Sequence, residues 1–268
     1  MSELDLHRLG LGTWENADPD RCAESVRTAL ETGYRHVDTA KAYGNETAVG
    51  RGIAASSVPR EEVFLATKVS MSDLAYEDAK RTARESLDRL GVEYVDLLYV
   101  HWPIRTYDAE GTLAAFQELS DEGVMRHLGV SNFEPETLDE ARAILDAPIY
   151  VNQIELHPYL QQDELRAYAA EHGHHVVAYS PLARGEVLDD PVLGDIADKH
   201  DASVPQVTLS WLLDFENVAT IPKATSAEHI RDNWGAYAVD LDDEDHARIA
   251  ELDRGQRQVD FPQAAWHE

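Results

Sequence analysis

The chain has 268 residues, of which 51 are acidic and 23 basic, for a formal net charge of −28, and it carries one cysteine. The length allows either one α/β barrel or two average domains, the hydrophobic share of 43% is that of a globular protein, and no apolar run approaches the roughly 18 residues of a membrane span. A field this negative repels phosphate backbones and argues against nucleic acid as a partner, while the lone Cys22 has no intramolecular disulfide partner and reads as an inert thiol.

The opening MSELDLHRLG has neither the basic start nor the apolar stretch of a secretion signal, so a cytoplasmic location is expected. Acidic residues recur along the whole chain, as at Asp18, Asp20, Glu61, Glu62, Asp121, Glu122, Asp189, Asp190, Asp242, Asp243 and Glu244. They form a surface rather than a tail. Self-repulsion of such a surface destabilises the compact state in dilute salt and is screened at molar salt, where the Debye length is about 3 Å. The expectation is a protein from a salt-accumulating halophile, an archaeon in particular.

Strand-like apolar runs recur at residues 9–12, 34–38, 63–68, 95–101, 128–131, 151–154, 175–179 and 219–221. Amphipathic stretches lie between them. Residues 21–32, 77–90, 113–122 and 163–172 have helical spacing, ending at Gly33, Gly91, Gly123 and Gly173. Eight strands alternating with helices in one undivided chain predict a single-domain α/β fold over residues 1–268, a (β/α)₈ TIM barrel. Barrel enzymes place their chemistry at the C-terminal ends of the strands.

Those ends read Thr13-Trp14, Asp38, Lys68, His101, Ser131-Asn132, Gln153, Tyr179-Ser180 and Pro222-Lys223, with Tyr43 five residues after Asp38. Each alone has an ordinary structural explanation: a cap, a solvated cation, a packing ring. Together at one barrel mouth they describe carbonyl reduction. A phenol can donate the proton, but its ordinary pKa of about 10 is high. A neighbouring lysine lowers it, a carboxylate holds the lysine, and a histidine orients the carbonyl oxygen. Tyr43, Lys68, Asp38 and His101 fit these roles in turn. Trp14, Trp102 and Phe133 are expected to line the substrate pocket, with Trp266 placed to close it.

Residues 33–40 (GYRHVDTA) with 43–46 (YGNE) resemble the signature of the aldo-keto reductase family. So do 10–14 (GLGTW), 67–68 (TK), 96–103 (DLLYVHWP), 129–133 (GVSNF), 152–155 (NQIE), 178–182 (AYSPL) and 221–223 (IPK). The match runs in order from about residue 9 to 240. The resemblance implies the same barrel, NADPH-linked reduction of aldehydes and ketones, and a catalytic tetrad at Asp38, Tyr43, Lys68 and His101. It further implies nicotinamide contacts from Ser131, Asn132 and Gln153, stacking by Tyr179, and a pyrophosphate cover from Leu182 to Gly185. An adenosine grip from Lys223, Thr225, Ser226, His229 and Asn233 completes the set, and Thr13 and Ser180 at adjoining strand ends join the cofactor contacts.

Two positions depart from the family pattern. Ala224 stands where a serine is common, and His229 where an arginine is common. A neutral imidazole lacks the permanent charge and bidentate grip of a guanidinium on a 2′-phosphate, so NADPH is expected with NADH tolerated. Residues 1–8 also leave little room for the β-hairpin that usually plugs the barrel bottom. The pair Gly10 and Gly12 is too short for a dinucleotide fingerprint. His172, His174 and His175 lack a ligand pattern, so no metal is expected. Glu155 and His157 do not imply a hydrolytic pair. The substrate is expected to be a small-molecule carbonyl and the protein a monomer. Residues 256–268 are expected to influence specificity. Two alternatives remain: a barrel that binds nicotinamide without turnover, and a barrel enzyme with a phosphate loop after its last strands.

Overall fold

In a computed structural model, residues 6–267 are described. The eight strands are β1 Gly10–Gly12, β2 His36–Asp38, β3 Phe64–Val69, β4 Val95–Val100, β5 Met125–Ser131, β6 Ile149–Glu155, β7 His175–Tyr179 and β8 Val218–Thr220. The helices are α1 Pro19–Thr32, α2 Glu46–Ala55, α3 Tyr76–Leu90, α4 Ala109–Asp121, α5 Pro135–Ile144, α6 Asp163–His172, α7 Pro191–Lys199, α8 Val204–Leu213, α9 Ala227–Trp234 and α10 Asp243–Ala250. The strands pair in chain order, all parallel. Parallel bridges from Leu9 to Thr220 and from Gly12 to Lys223 bring β8 back to β1 and close the circle. This is the expected single-domain (β/α)₈ barrel.

Strand periodicity divides the side chains between two cores. Phe64, Ala66, Leu97, Tyr99, Val151, Val177 and Ala219 point inward and pack together inside the barrel. Their neighbours Leu65, Leu98, Val100, Ile154 and Val176 point outward into the layer shared with the helices. Leu6, 1% exposed, packs into the inner core. The expected reduction of the plug therefore concerns a segment of which residues 1–5 lie outside the described residues, and Leu6 is the part seen filling the interior.

Helix ends follow local chemistry. Asp18 caps α1, accepting from the Asp20 and Arg21 N–H groups at 3.1 and 2.8 Å. Gly91 ends α3 at φ +68, a conformation that L side chains avoid. Within α2, a Cβ on Gly50 would come 2.1 Å from the Leu90 carbonyl oxygen, and one on Gly52 would come 2.5 Å from the Ala23 oxygen. The absence of side chains at these positions lets α2 sit tightly between α1 and α3.

Candidate active site

Inward alternation brings Asp38, Lys68, Ser131, Gln153 and Tyr179 to the C-terminal rim of the barrel, with His101 immediately past β4. Lys68 and Asp38 are 0% and 1% exposed and ion-paired. Lys68 Nζ also donates to the Thr39 carbonyl at 2.8 Å, and the second Asp38 oxygen accepts from Gln153 Nε2 at 2.9 Å. The Thr13 hydroxyl donates to the Asp38 carbonyl at 3.0 Å and so fixes the strand end rather than projecting a free donor. Burial raises the pKa of Asp38 and lowers that of Lys68, while their mutual attraction opposes both shifts.

Tyr43 comes from a short 3-10 turn, Lys41–Tyr43, after β2. Its ring centroid lies 5.2 Å from Lys68 Nζ and 5.9 Å from the His101 ring, edge to face. Lysine proximity was expected to draw the phenol down. Instead burial, then the Asp38 carboxylate, push it well above its ordinary value. The ammonium is committed to Asp38 and Thr39, so in this arrangement the phenol remains protonated. Burial and the Lys68 charge push His101 down to about 3, leaving a neutral imidazole.

Asp38, Tyr43 and His101 open onto one cavity of about 590 Å³, with Lys68 buried behind its lining. Its walls include Trp14, Trp102, Tyr179, Ser180, Leu182, Gly185 and, at the far end, Lys223. On its floor the Ser131 hydroxyl donates to the Gln153 carbonyl at 2.9 Å. Asn132 Nδ2 donates to Ser131 Oγ at 2.9 Å and to the His101 carbonyl at 3.2 Å, and its Oδ1 accepts from the Tyr179 hydroxyl at 2.9 Å. Asn132, Ser180 and Arg184 hold positive φ angles of 63°, 48° and 54°. Conformations that side chains normally avoid thus gather at the mouth. A separate hollow of about 430 Å³, lined by His7, Arg35, Asp96 and Arg126, opens at the opposite end, away from Tyr43.

The other expected positions divide. Phe133 does not line the cavity: it is fully buried in the strand–helix core, edge-on to Tyr107 at 5.6 Å. The left-handed turn at Asn132 redirects the chain, and Asn152 Nδ2 holds the Phe133 carbonyl at 2.9 Å. Thr225, Ser226, His229 and Asn233 lie beyond the lining, around the start of α9 and along it. Ser226 caps that helix by accepting from the His229 N–H at 3.2 Å. Trp266 packs on Trp102 at 5.6 Å, behind the wall. Among the described residues no group of three His, Cys, Asp or Glu side chains is placed to hold a metal, and no described helix is long and apolar enough to cross a membrane.

The sequence reading missed Met71. Within the 182–185 cover it did not single out Arg184, whose guanidinium lies 4.5 Å over Trp14, or Val259 and Phe261 within the 256–268 segment, all in the lining. The apolar residues Val259 and Phe261, alternating with polar Gln258 and Asp260, were the available signal.

The aldo/keto reductase family model matches residues 8–254. An aldo-keto reductase of Mycolicibacterium smegmatis is 44% identical over 94% of this chain and 91% of its own length. The methylglyoxal reductase of Escherichia coli O157:H7 is 42% identical over 96% of each chain. The crystal structure of a Bombyx mori aldo-keto reductase in complex with NADP superposes with a TM-score of 0.89 at 32% identity, covering 98% of this chain and 94% of that one. With a barrel of this topology, a polar strand-end rim and matches over nearly its whole length, the chain belongs to the aldo/keto reductase family and is an oxidoreductase.

Proposed function

We propose that the protein reduces an aldehyde or ketone to an alcohol, with Tyr43 as proton donor. The observation that carries this reading is the convergence of Asp38, Tyr43 and His101 on one cavity, with Lys68 buried behind them against Asp38 and 5.2 Å from the Tyr43 ring centroid. The donor set suits a nicotinamide dinucleotide: polar side chains at Ser131, Asn132 and Gln153, the Tyr179 ring beside them, and cations at Arg184 and Lys223 along the wall. When bound, the cofactor supplies the hydride. Lys223 and the residues near α9, Thr225, Ser226, His229 and Asn233, would hold its adenosine end. The NADP complex of the silkworm relative supports NADP(H) as the preferred form; NAD(H) is accepted more weakly.

A protonated phenol and a neutral imidazole can both donate to a carbonyl oxygen. His101 orients that oxygen, and Tyr43 delivers its proton as negative charge develops there. The phenolate left behind faces the Lys68 ammonium, which Asp38, itself tied to Gln153, keeps in place. The negative charge left on Tyr43 when its proton passes to the carbonyl oxygen is therefore met by an existing positive charge. The pocket admits small carbonyl compounds, the class that the glyoxal and methylglyoxal reductases among the relatives act on.

We read residues 1–268 as one domain acting as a cytoplasmic monomer. The acidic surface fits a salt-rich cell, such as that of a halophilic archaeon. Following NADPH absorbance with a panel of carbonyls at high salt tests the reaction. Tyr43→Phe is expected to lower kcat by roughly a thousandfold, within the usual range for a lost general acid. An unaltered rate in that variant, or no carbonyl reduced by the wild type, would refute the mechanism.

A further inference from the structure

Glu155 ends β6 on the inner face of the barrel, 1% exposed, and has no part in the chemistry above. Both its oxygens are occupied. Oε1 accepts from the Gln258 backbone N–H at 2.5 Å and faces His157 Nε2 at 2.9 Å, and Oε2 accepts from the Val259 backbone N–H at 2.9 Å. Besides His157, the partners of this buried carboxylate are two consecutive main-chain donors from a segment more than 100 residues away. That segment runs without helix or strand from α10 until residue 265. It carries the two tail residues found in the cavity wall, Val259 and Phe261. Phe261 meets Trp102 edge-on at 4.8 Å. Val259 therefore does two things at once: its N–H binds Glu155 and its side chain faces the pocket.

We propose that Glu155 is a positioning residue that latches the C-terminal segment over the pocket and so sets which carbonyl compounds bind well. This rests on the pocket being the carbonyl site. The segment has other attachments: the Gln256 N–H donates to the Tyr159 carbonyl at 3.0 Å, and the Gln256 side chain meets Glu186. Those, and the Arg257–Glu134 pair at 3.9 Å, precede residue 258; beyond it Phe261, Ala264 and Trp266 meet the barrel through apolar packing on Trp102 and Ile104, which carries no hydrogen bond. The Trp266 Nε1 hydrogen bond to Asp260 at 2.8 Å is internal to the tail, while the Trp266 ring packs on Trp102. The Glu155 bonds are the hydrogen bonds to the barrel wall at the point where the chain crosses the pocket. A buried carboxylate needs its donors as much as they need it, because an unsatisfied buried charge is strongly unfavourable.

The latch predicts a split between substrates. A large aromatic aldehyde touches Phe261 and Val259, whereas propanal reaches Tyr43 without them. In Glu155→Gln, KM for 2-naphthaldehyde should rise about tenfold with kcat held, the scale of one lost charge-assisted hydrogen bond. Propanal kinetics and NADPH affinity should not change. Hydrogen exchange at the Gln258 and Val259 amides should accelerate in the same variant. Gln258→Pro deletes one donor from the tail side, leaves the barrel untouched, and should reproduce the split even if Glu155→Gln folds poorly. Phe261→Ala should add little in the Glu155→Gln background, since the two changes remove the same contact.

Equal losses for both aldehydes, or no change in the ratio, would overturn the proposal. So would unchanged exchange at residues 258 and 259. Wild-type protein that reduces neither aldehyde would instead refute the carbonyl reading, and the exchange measurement would still judge the latch.

Discussion

His36, His101 and His174 are each pushed down to about 3, first by burial, whereas an unfolded chain titrates them near 6.5. Between those values the unfolded state binds protons that the folded state refuses. Stability therefore falls as pH falls through 6.5 and continues to fall toward 3; above 6.5 these groups are neutral in both states and add no pH dependence. Each contributes a slope on the order of 1 kcal/mol per pH unit in that window. Asp245, held down to about 2 with the help of Lys199 and His200, acts in the same direction at lower pH, and the raised Asp38 acts against it. Urea midpoints measured in 1 M KCl should be clearly lower at pH 5 than at pH 7; an equal or higher midpoint at pH 5 would contradict the burial of these imidazoles. The same burial explains what was not legible residue by residue. Strand ends announced Asp38, Lys68 and His101 through residue type and position. The protonated state of Tyr43 depends on the packing around it and on where Lys68 directs its hydrogen bonds, and Phe133 was misplaced because nothing in its sequence neighbourhood shows the left-handed turn at Asn132.

Strands were the easiest elements to read, because strands covered on both faces stand out as short apolar runs and these recur eight times. Their limits moved where a turn competed: the run at 34–38 narrows to β2, since Gly33 and Tyr34 direct their N–H groups back to the end of α1. Amphipathic α1, α3 and α6 were legible from helical spacing of their apolar residues and the glycine that ends each. By contrast α8 is buried from Val207 through Leu213, and a helix apolar all round shows no 3.6-residue stripe. The α2 interface was hidden differently. Glycine inside a helix reads as a weakness worth up to about 1 kcal/mol relative to alanine, yet Gly50 and Gly52 are where two neighbouring helices approach most closely. Gly50→Ala should therefore destabilise the protein by about 2 kcal/mol, the scale of overpacking, rather than stabilise it. Thermal or urea unfolding of that variant decides between the two signs.

The whole molecule combines a surface that repels itself with a centre shielded from salt. Its net charge of −28 is screened by added ions, while the Lys68–Asp38 pair at 0% and 1% exposure is not. Raising KCl from 0.05 to 2 M (values chosen to span about 14 Å to 2 Å of Debye length) should lift the thermal midpoint by about 5 °C or more. The pH dependence of kcat should keep its shape over the same range. A midpoint indifferent to salt would remove the basis for reading the acidic surface as an adaptation.

The contact between Glu155 and the tail has a consequence for how such a protein diversifies. Glu155 binds main-chain N–H groups, which every amino acid except proline provides. The attachment therefore places little demand on the side chains at 258 and 259. At those positions the tail is held in register by an element that does not read its letters, so the wording there can drift while its position stays fixed. Residues 258 and 259 are thus more exchangeable than Phe261, Ala264 and Trp266, whose side chains pack with Trp102 and Ile104. New pocket walls can be written at those two positions without renegotiating the barrel, and the first substitution to break the arrangement there would be a proline rather than a change of size or charge.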